Sequence, residues 1–136
     1  MNELLWSPKD ERIASSNLSK FYTYIEEKFN TISKPINFVF HGGSGSSKSE
    51  ITEAISYGAI KMNLDTDLQW GFTTGIRDYF SQYNDYLQTQ IGNPEGSEYP
   101  NKKYYDPRKW IRLGEETFIN RLTKAFEDLN NVNTLD

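Results

Sequence analysis

The feature that most constrains the fold is a short apolar run that ends in a glycine-rich loop. Residues 36–40 read Ile-Asn-Phe-Val-Phe, and His41 and the loop 42–46 (Gly-Gly-Ser-Gly-Ser) follow them directly. An apolar run of this length, bounded by turn residues, is typical of a strand buried on both faces in a parallel sheet. The sequence therefore predicts a strand at 36–40 with the glycine loop at its carboxyl end.

A helix and a second strand are predicted after the loop. Ser47 is followed three residues later by Glu50, the capping-box pattern of a helix N-terminus, and Gly58 suits the helix C-terminus. Residues 59–64 (Ala-Ile-Lys-Met-Asn-Leu) alternate in polarity and predict the second strand. Strand, helix and strand form a right-handed βαβ unit, so the predicted fold class is α/β.

The segments on either side of this unit have simpler patterns. Residues 1–16 show no clear period and are interpreted as a loose arm, whereas apolar residues recur at helical spacing over 18–29 after an N-cap at 16 or 17. Pro35 ends this helix. On the other side the sequence predicts helical regions at about 67–88 and 107–129, with a break at Gly114, and a loop at 91–106.

Composition excludes several classes of function. The chain has 136 residues, which suits one modest domain, and its net charge of -4 gives no reason to expect nucleic-acid or anionic-membrane partners. It has no cysteine, so disulfides and thiolate metal sites are excluded and a cytoplasmic location is expected. No apolar run approaches the roughly 18 residues of a membrane span.

The loop 42–46 is suited to binding an anion. Its glycines let the backbone approach a ligand, and amide groups near a helix N-terminus favour a phosphate. A flexible turn is the alternative, because glycine-rich turns are common. A nucleotide P-loop is disfavoured, because Ser47 stands where that pattern needs its second glycine.

His41 is the only histidine and a candidate metal ligand. A metal site needs three or four ligands, and no second histidine exists here to supply one. The sequence alone therefore argues against a complete histidine-rich metal site. A structural or merely exposed role for His41 is the alternative.

Two further groups of polar residues are candidates for substrate binding. Asn63, Asp65 and Thr66 follow the second strand, where barrels of alternating strands and helices carry their sites, although Asp65 or Thr66 could instead cap a helix. Arg108 lies in a basic cluster with Lys102 and Lys103, and its planar guanidinium can bind a phosphate. A solvated loop in which Arg108 pairs with Asp106 or Glu115 is the alternative.

Four motifs in this order resemble the C-terminal run of class II fructose-bisphosphate aldolases of the longer-chain subgroup. They are NFVFHGGSGS (37–46), KMNLDTD (61–67), GNPEG (92–96) and NKKYYDPRKW (101–110). The resemblance extends from about Leu18 to Phe126. It implies that 17–136 are the C-terminal portion of a (β/α)8 TIM barrel, namely its last two parallel strands and a C-terminal helical extension.

The resemblance also implies a reaction. The family cleaves fructose 1,6-bisphosphate reversibly to dihydroxyacetone phosphate and glyceraldehyde 3-phosphate, in glycolysis and gluconeogenesis. A divalent metal, usually zinc, stabilises the enediolate. By resemblance His41 is one zinc ligand, and Gly42 lies near a monovalent cation. The implied substrate-binding residues are Gly42, Ser44, Asn63, Asp65 and Thr66, together with Arg108, which reaches the far phosphate from the neighbouring subunit of a homodimer.

The chain departs from the family in its length. Members are much longer, and the part without a counterpart here holds the other histidine ligands, a glutamate and the proton-transfer aspartate. No complete catalytic set is therefore expected in this chain, which should be inactive alone. A truncated gene, a rearranged gene or a misplaced start would each produce such a chain. The alternative function is a non-catalytic remnant that binds phosphosugars or associates with full-length aldolase.

Overall fold

The computed structural model describes residues 20–32 and 36–134. The arm predicted at 1–16, the N-cap at 16 or 17 and the stop at Pro35 lie outside these ranges. The chain divides into two compact units, one comprising the residues up to Asp65 with those from Phe126 onward, the other Thr66–Ala125. None of the helices in the described ranges has the length and apolarity that a membrane crossing requires.

The first unit contains a parallel strand pair joined by a helix. A helix α1 includes residues 20–29, and the elements that follow are β1 (Phe38–Phe40), α2 (Lys48–Ser56) and β2 (Ala59–Met62). Strands β1 and β2 are parallel, and Phe38 pairs with Ala59 and Phe40 with Met62. The α/β class and the strand–helix–strand order predicted from the sequence are confirmed, although both strands are shorter than expected.

Local signals in the sequence place the ends of α2. The Ser47 hydroxyl accepts from the Glu50 amide at 3.3 Å, and the Glu50 carboxylate accepts from the Ser47 amide at 2.8 Å. This reciprocal pair is the predicted capping box. Gly58 follows the helix with φ of +88°, the left-handed conformation that ends many helices. The predicted start and stop of α2 are therefore confirmed.

Tyr22 joins α1 to the start of β1. Its ring is buried and meets Phe38 edge to face at 5.0 Å between centroids, while its hydroxyl donates to the Ile36 carbonyl at 2.6 Å. Burial raises the pKa of this hydroxyl, and the nearby Glu26 carboxylate adds to the effect. The phenol therefore stays protonated and remains a hydrogen-bond donor at this junction.

Strand β1 is not buried on both faces, so the prediction made for it is wrong for the residues that the structure describes. Val39 is 44% exposed and Ile60 is 68% exposed. Both side chains are apolar and strand-forming, but the described elements leave a large part of each exposed. An apolar strand in a sequence indicates a covering layer without showing that the same chain supplies it.

The second unit is mostly helical and ends in a long helix. Its elements are α3 (Thr66–Gln82), a 3₁₀ turn (Asn84–Tyr86), β3 (Ile91–Asn93), β4 (Gly96–Pro100), α4 (Lys102–Tyr105) and the start of α5 (Pro107–Asp128). Helix α5 is continuous through Gly114, so the predicted break is wrong. A glycine inside a helix costs only about 1 kcal/mol, which the packing described below can offset.

A β-hairpin replaces most of the loop predicted at 91–106. Strands β3 and β4 are antiparallel, with Ile91 opposite Pro100 and Asn93 opposite Gly96. The side chain of Asn93 accepts from the Glu95 amide at 2.8 Å, which stabilises the turn between the strands. Asparagine, proline and glycine are typical of loops, and at 93–96 they form the tight turn of the hairpin.

Asn101 is the polar centre of this hairpin and is fully buried, with 0% exposure. Its side-chain Nδ2 donates to the carbonyl oxygens of Thr89 at 2.8 Å and Gly92 at 2.9 Å. Its side-chain oxygen accepts from Asn93 at 2.7 Å. Because the Asn101 side chain is away from water, these hydrogen bonds avoid the cost of leaving its buried polar atoms unpaired.

Helices α3 and α5 approach each other closely through glycines. A Cβ atom added at Gly75 would lie 2.4 Å from the Leu113 carbonyl oxygen, and one added at Gly114 would lie 3.0 Å from the ring of Phe72. Glycine is therefore required at Gly75 by the backbone of the facing helix. The Phe72 ring occupies the space that Gly114 leaves open.

We predict that Gly75→Ala destabilises the chain. Overpacking against a backbone carbonyl costs about 1–3 kcal/mol, which exceeds the roughly 1 kcal/mol that alanine gains over glycine in a helix. Thermal unfolding followed by circular dichroism should show a midpoint lower by several degrees. Gly71→Ala is the milder comparison and should lower the midpoint less, because its added Cβ would lie 3.2 Å from the Arg121 Cβ rather than 2.4 Å from a backbone carbonyl oxygen. A higher midpoint for Gly75→Ala would contradict the packing described.

Candidate functional site

The glycine loop joins the carboxyl end of β1 to the N-terminus of α2. Gly42 has φ of +71°, which residues with a side chain rarely adopt. The Ser46 amide donates to the Gly43 carbonyl at 3.2 Å, so the loop closes as a tight turn before the capping box at Ser47. Backbone amides here lie at the positive end of the α2 dipole, which favours an anion.

The loop is attached to the end of β2 by backbone hydrogen bonds. The Asn63 amide donates to the Phe40 carbonyl at 3.0 Å, and the Gly43 amide donates to the Asn63 carbonyl at 3.0 Å. Gly43 is buried, and a Cβ added to it would lie 2.5 Å from the Met62 side chain. The second glycine of the loop is therefore needed for the loop to lie against β2.

Gly43 is a functional-loop residue that the sequence does not distinguish from its neighbours. The resemblance implied a role for Gly42 alone among the loop glycines, and only the structure shows that Gly43 faces β2. The signal available in the sequence was the pair Gly42-Gly43 directly after a strand. One of two adjacent glycines in such a position often allows a close backbone approach.

Two candidate side chains meet at the ends of the strands. The Nδ1 atom of His41 lies 3.1 Å from the Nδ2 atom of Asn63. The two nitrogens are within hydrogen-bonding distance, and the carboxamide of Asn63 can donate to an imidazole nitrogen that carries no proton. The predicted metal-ligand histidine and the predicted substrate-binding asparagine are thus brought together.

Ser44 and Asp65 form a second contact between the loop and the segment after β2. The Asp65 amide donates to the Ser44 hydroxyl at 3.4 Å, a long hydrogen bond. Together with His41, Gly42 and Asn63, these residues place five of the seven predicted site residues at one edge of the β1–β2 pair. This edge combines backbone amides, a hydroxyl, a carboxamide, a carboxylate and an imidazole.

The two remaining candidates lie in the other unit. Thr66 is the first residue of α3, and Arg108 lies in the first turn of α5. Arg108 is held by Asp106, since its Nε donates to Oδ1 at 2.9 Å and its backbone amide donates to the same oxygen at 3.1 Å. The alternative considered for Arg108, pairing with Asp106, is therefore what the structure contains.

The pairing has an electrostatic consequence. The hydrogen bonds and charge of the Arg108 guanidinium lower the pKa of Asp106 to about 2. Asp106 is therefore ionised at neutral pH and occupies part of the guanidinium's hydrogen-bonding capacity. The Arg108 side chain is nevertheless 85% exposed, so its outer edge remains accessible to a second anion.

The described residues do not form a metal site by themselves. No three of their histidine, cysteine, aspartate or glutamate side chains lie close enough together to hold a metal ion. His41 fits the role of a single nitrogen ligand, and a cation at its Nδ1 would have to displace the Asn63 hydrogen bond. The donor set in this part of the chain is therefore partial.

Comparison with known proteins identifies the family. A family model described as fructose-bisphosphate aldolase class-II matches residues 8–134, which extends into the arm predicted at 1–16. The fructose-bisphosphate aldolase of Campylobacter jejuni is 54% identical over 130 residues, or 95% of this chain and 37% of that protein. The fructose-bisphosphate aldolase of Haemophilus influenzae is 52% identical over 131 residues, which cover 96% of this chain and 36% of that protein.

A solved structure gives the same result. The crystal structure of fructose-bisphosphate aldolase from Campylobacter jejuni superposes with a TM-score of 0.78 at 57% identity, over 88% of this chain and 35% of that chain. The chain thus spans little more than a third of the length of these relatives. The resemblance stated from the four motifs is confirmed, and the chain belongs to the class II fructose-bisphosphate aldolase family.

Proposed function

We propose that this chain is the C-terminal part of a class II fructose-bisphosphate aldolase. The whole enzyme would cleave fructose 1,6-bisphosphate reversibly to dihydroxyacetone phosphate and glyceraldehyde 3-phosphate, as a cytoplasmic enzyme of glycolysis. The observation that carries the proposal is the hydrogen-bonded contact between the loop after β1 and the segment after β2. Family membership supports the reaction class.

Strands β1 and β2 would be the last two strands of a (β/α)8 barrel. Their parallel pairing and the intervening helix α2 are the repeating arrangement of such a barrel. The exposed side chains of Val39 and Ile60 support this assignment, because a complete barrel would cover both. Residues 17–136 would then be one portion of the barrel domain with its C-terminal helical extension.

The loop and the segment after β2 would bind the phosphosugar substrate. Gly42 and Ser44 would hold a phosphate with backbone and hydroxyl donors, and the loop's place at the α2 N-terminus supports this role. Asn63, Asp65 and Thr66 would bind the sugar portion. Their carboxamide, carboxylate and hydroxyl groups suit a polyhydroxylated ligand.

His41 would supply one ligand to a catalytic zinc ion, and Gly42 would lie near a monovalent cation. Zinc in such a site polarises a carbonyl group and stabilises the negative charge that develops on its oxygen. The other ligands would come from the two thirds of the enzyme that has no counterpart in this chain. The contact between His41 and Asn63 supports a shared role in binding the substrate beside the metal.

Arg108 would bind the far phosphate of the sugar from the neighbouring subunit of a homodimer. A dianionic phosphate can compete with the Asp106 carboxylate for the guanidinium, because it offers more charge and more acceptor oxygens. The high exposure of Arg108 supports a role toward a ligand outside its own unit. Asp106 would hold the guanidinium in place until the phosphate arrives.

We predict no measurable aldolase activity for the chain alone. One protein ligand cannot hold zinc in the three-ligand geometry that catalytic sites use. A coupled assay on zinc-loaded chain should therefore give the same rate as the His41→Ala variant. Turnover in the unaltered chain that His41→Ala abolishes would contradict the prediction.

We also predict weak binding of dihydroxyacetone phosphate by the chain. A few amide and hydroxyl donors without the rest of the site should give a millimolar dissociation constant, or about -4 kcal/mol. In a chemical-shift titration the amides of 42–46 and 63–66 should respond. Ser44→Ala should weaken the response, because it removes a donor from the loop.

Ser81→Ala is the matched control, since Ser81 is an exposed residue of α3 outside the proposed site. It should bind as the unaltered chain does. Shifts confined to 102–108, with the glycine loop unaffected, would contradict the proposed site and leave Arg108 as the only anion-binding group.

A further inference from the structure

An ion pair links the start of α3 to α5. Nη2 of Arg121 donates to Oδ2 of Asp67 at 2.7 Å, and the two side chains are only 26% and 29% exposed. Asp67 lies in the first turn of α3, directly after Thr66. The pair joins residues that are 54 positions apart in the sequence.

The stem of Arg121 reaches Asp67 by crossing α3 at a glycine. A Cβ atom added at Gly71 would lie 3.2 Å from the Arg121 Cβ. Asp67, Gly71 and Gly75 are spaced by four residues, so they lie on one face of α3. The two glycines let the helices approach, and Arg121 extends their contact by one more turn toward the helix start.

The ion pair is not explained by stability alone. Nη1 of Arg121 is buried and has no hydrogen-bond partner among the residues that the structure describes. An unpaired buried donor is costly, and partly buried ion pairs are weak sources of stability. An apolar side chain would cover Gly71 without that cost. What the guanidinium adds is a directed bond to the first turn of α3.

We propose that Arg121 is a positioning residue for the substrate-binding segment. It holds the first turn of α3 on α5 through Asp67, and this fixes the backbone of Thr66. Helix ends fray unless they are anchored, and Thr66 is the first residue of its helix. The role of Thr66 rests on the proposed function, whereas the anchoring of the helix start does not.

The test compares Arg121→Met with Arg112→Met in the full chain. The first substitution removes the charge and keeps most of the stem. The second is a matched control on the same helix, because the ion pairs of Arg112 among the described residues are with Glu115 at 3.0 Å and Glu116 at 3.3 Å, both on α5. Amide hydrogen exchange measures the anchoring, and titration with dihydroxyacetone phosphate measures its consequence for binding.

Arg121→Met should speed exchange of the amides that close the first turn of α3, Trp70 and Gly71, by about tenfold relative to the middle of the helix. The shift of the Thr66 amide on titration should be lost, and the dissociation constant should rise about threefold or more. The shifts at 42–46 should persist. Arg121→Lys should restore part of the protection from exchange and part of the affinity. Arg112→Met should change neither.

Faster exchange throughout α3 and α5 would show a general structural role and overturn the proposal. Unchanged exchange rates in the first turn of α3 would also overturn it. If Arg121→Met does not fold, Asp67→Asn removes the charge with almost no change in volume and should reproduce the local effect. A chain that never responds to dihydroxyacetone phosphate would contradict the proposed function. The exchange measurement would then still decide whether Arg121 anchors the helix.

Discussion

The backbone hydrogen bonds between β1 and β2 are the constraint on which the candidate site depends. Because the strands are parallel, their carboxyl ends lie at the same edge, and the residues that follow each strand must meet there. The bonds of Asn63 and Gly43 continue this pairing beyond the strands themselves. A slip of one residue would turn the side chain of His41 away from Asn63.

The parts of this arrangement that depend on local chemistry could be predicted from the sequence. The capping box at Ser47 and the left-handed glycine at 58 are set by residues within one turn of each other, so their patterns are sufficient. Parallel pairing followed from the strand–helix–strand order. The meeting of His41 with Asn63 is a consequence of that order rather than of any motif.

The parts that failed depend on contacts that extend beyond one turn of the chain. The hairpin 91–100 is closed by Asn101, whose hydrogen bonds to Thr89 and Gly92 no local pattern indicates. The glycines of α3 and α5 were interpreted as helix breakers or left aside, yet Gly75 is required by the facing carbonyl of Leu113. The exposure of Val39 could not be predicted, because an apolar strand indicates that another element packs on it but not which part of the protein supplies that element.

The central claim is that the loop after β1 and the segment after β2 are held together in this chain by direct hydrogen bonds. Scalar couplings across hydrogen bonds, measured by nuclear magnetic resonance, test it most directly. Couplings are expected from the Asn63 amide to the Phe40 carbonyl and from the Gly43 amide to the Asn63 carbonyl, with both amides protected from exchange. Absent couplings and freely exchanging amides would show that the two segments do not meet, and would contradict the account.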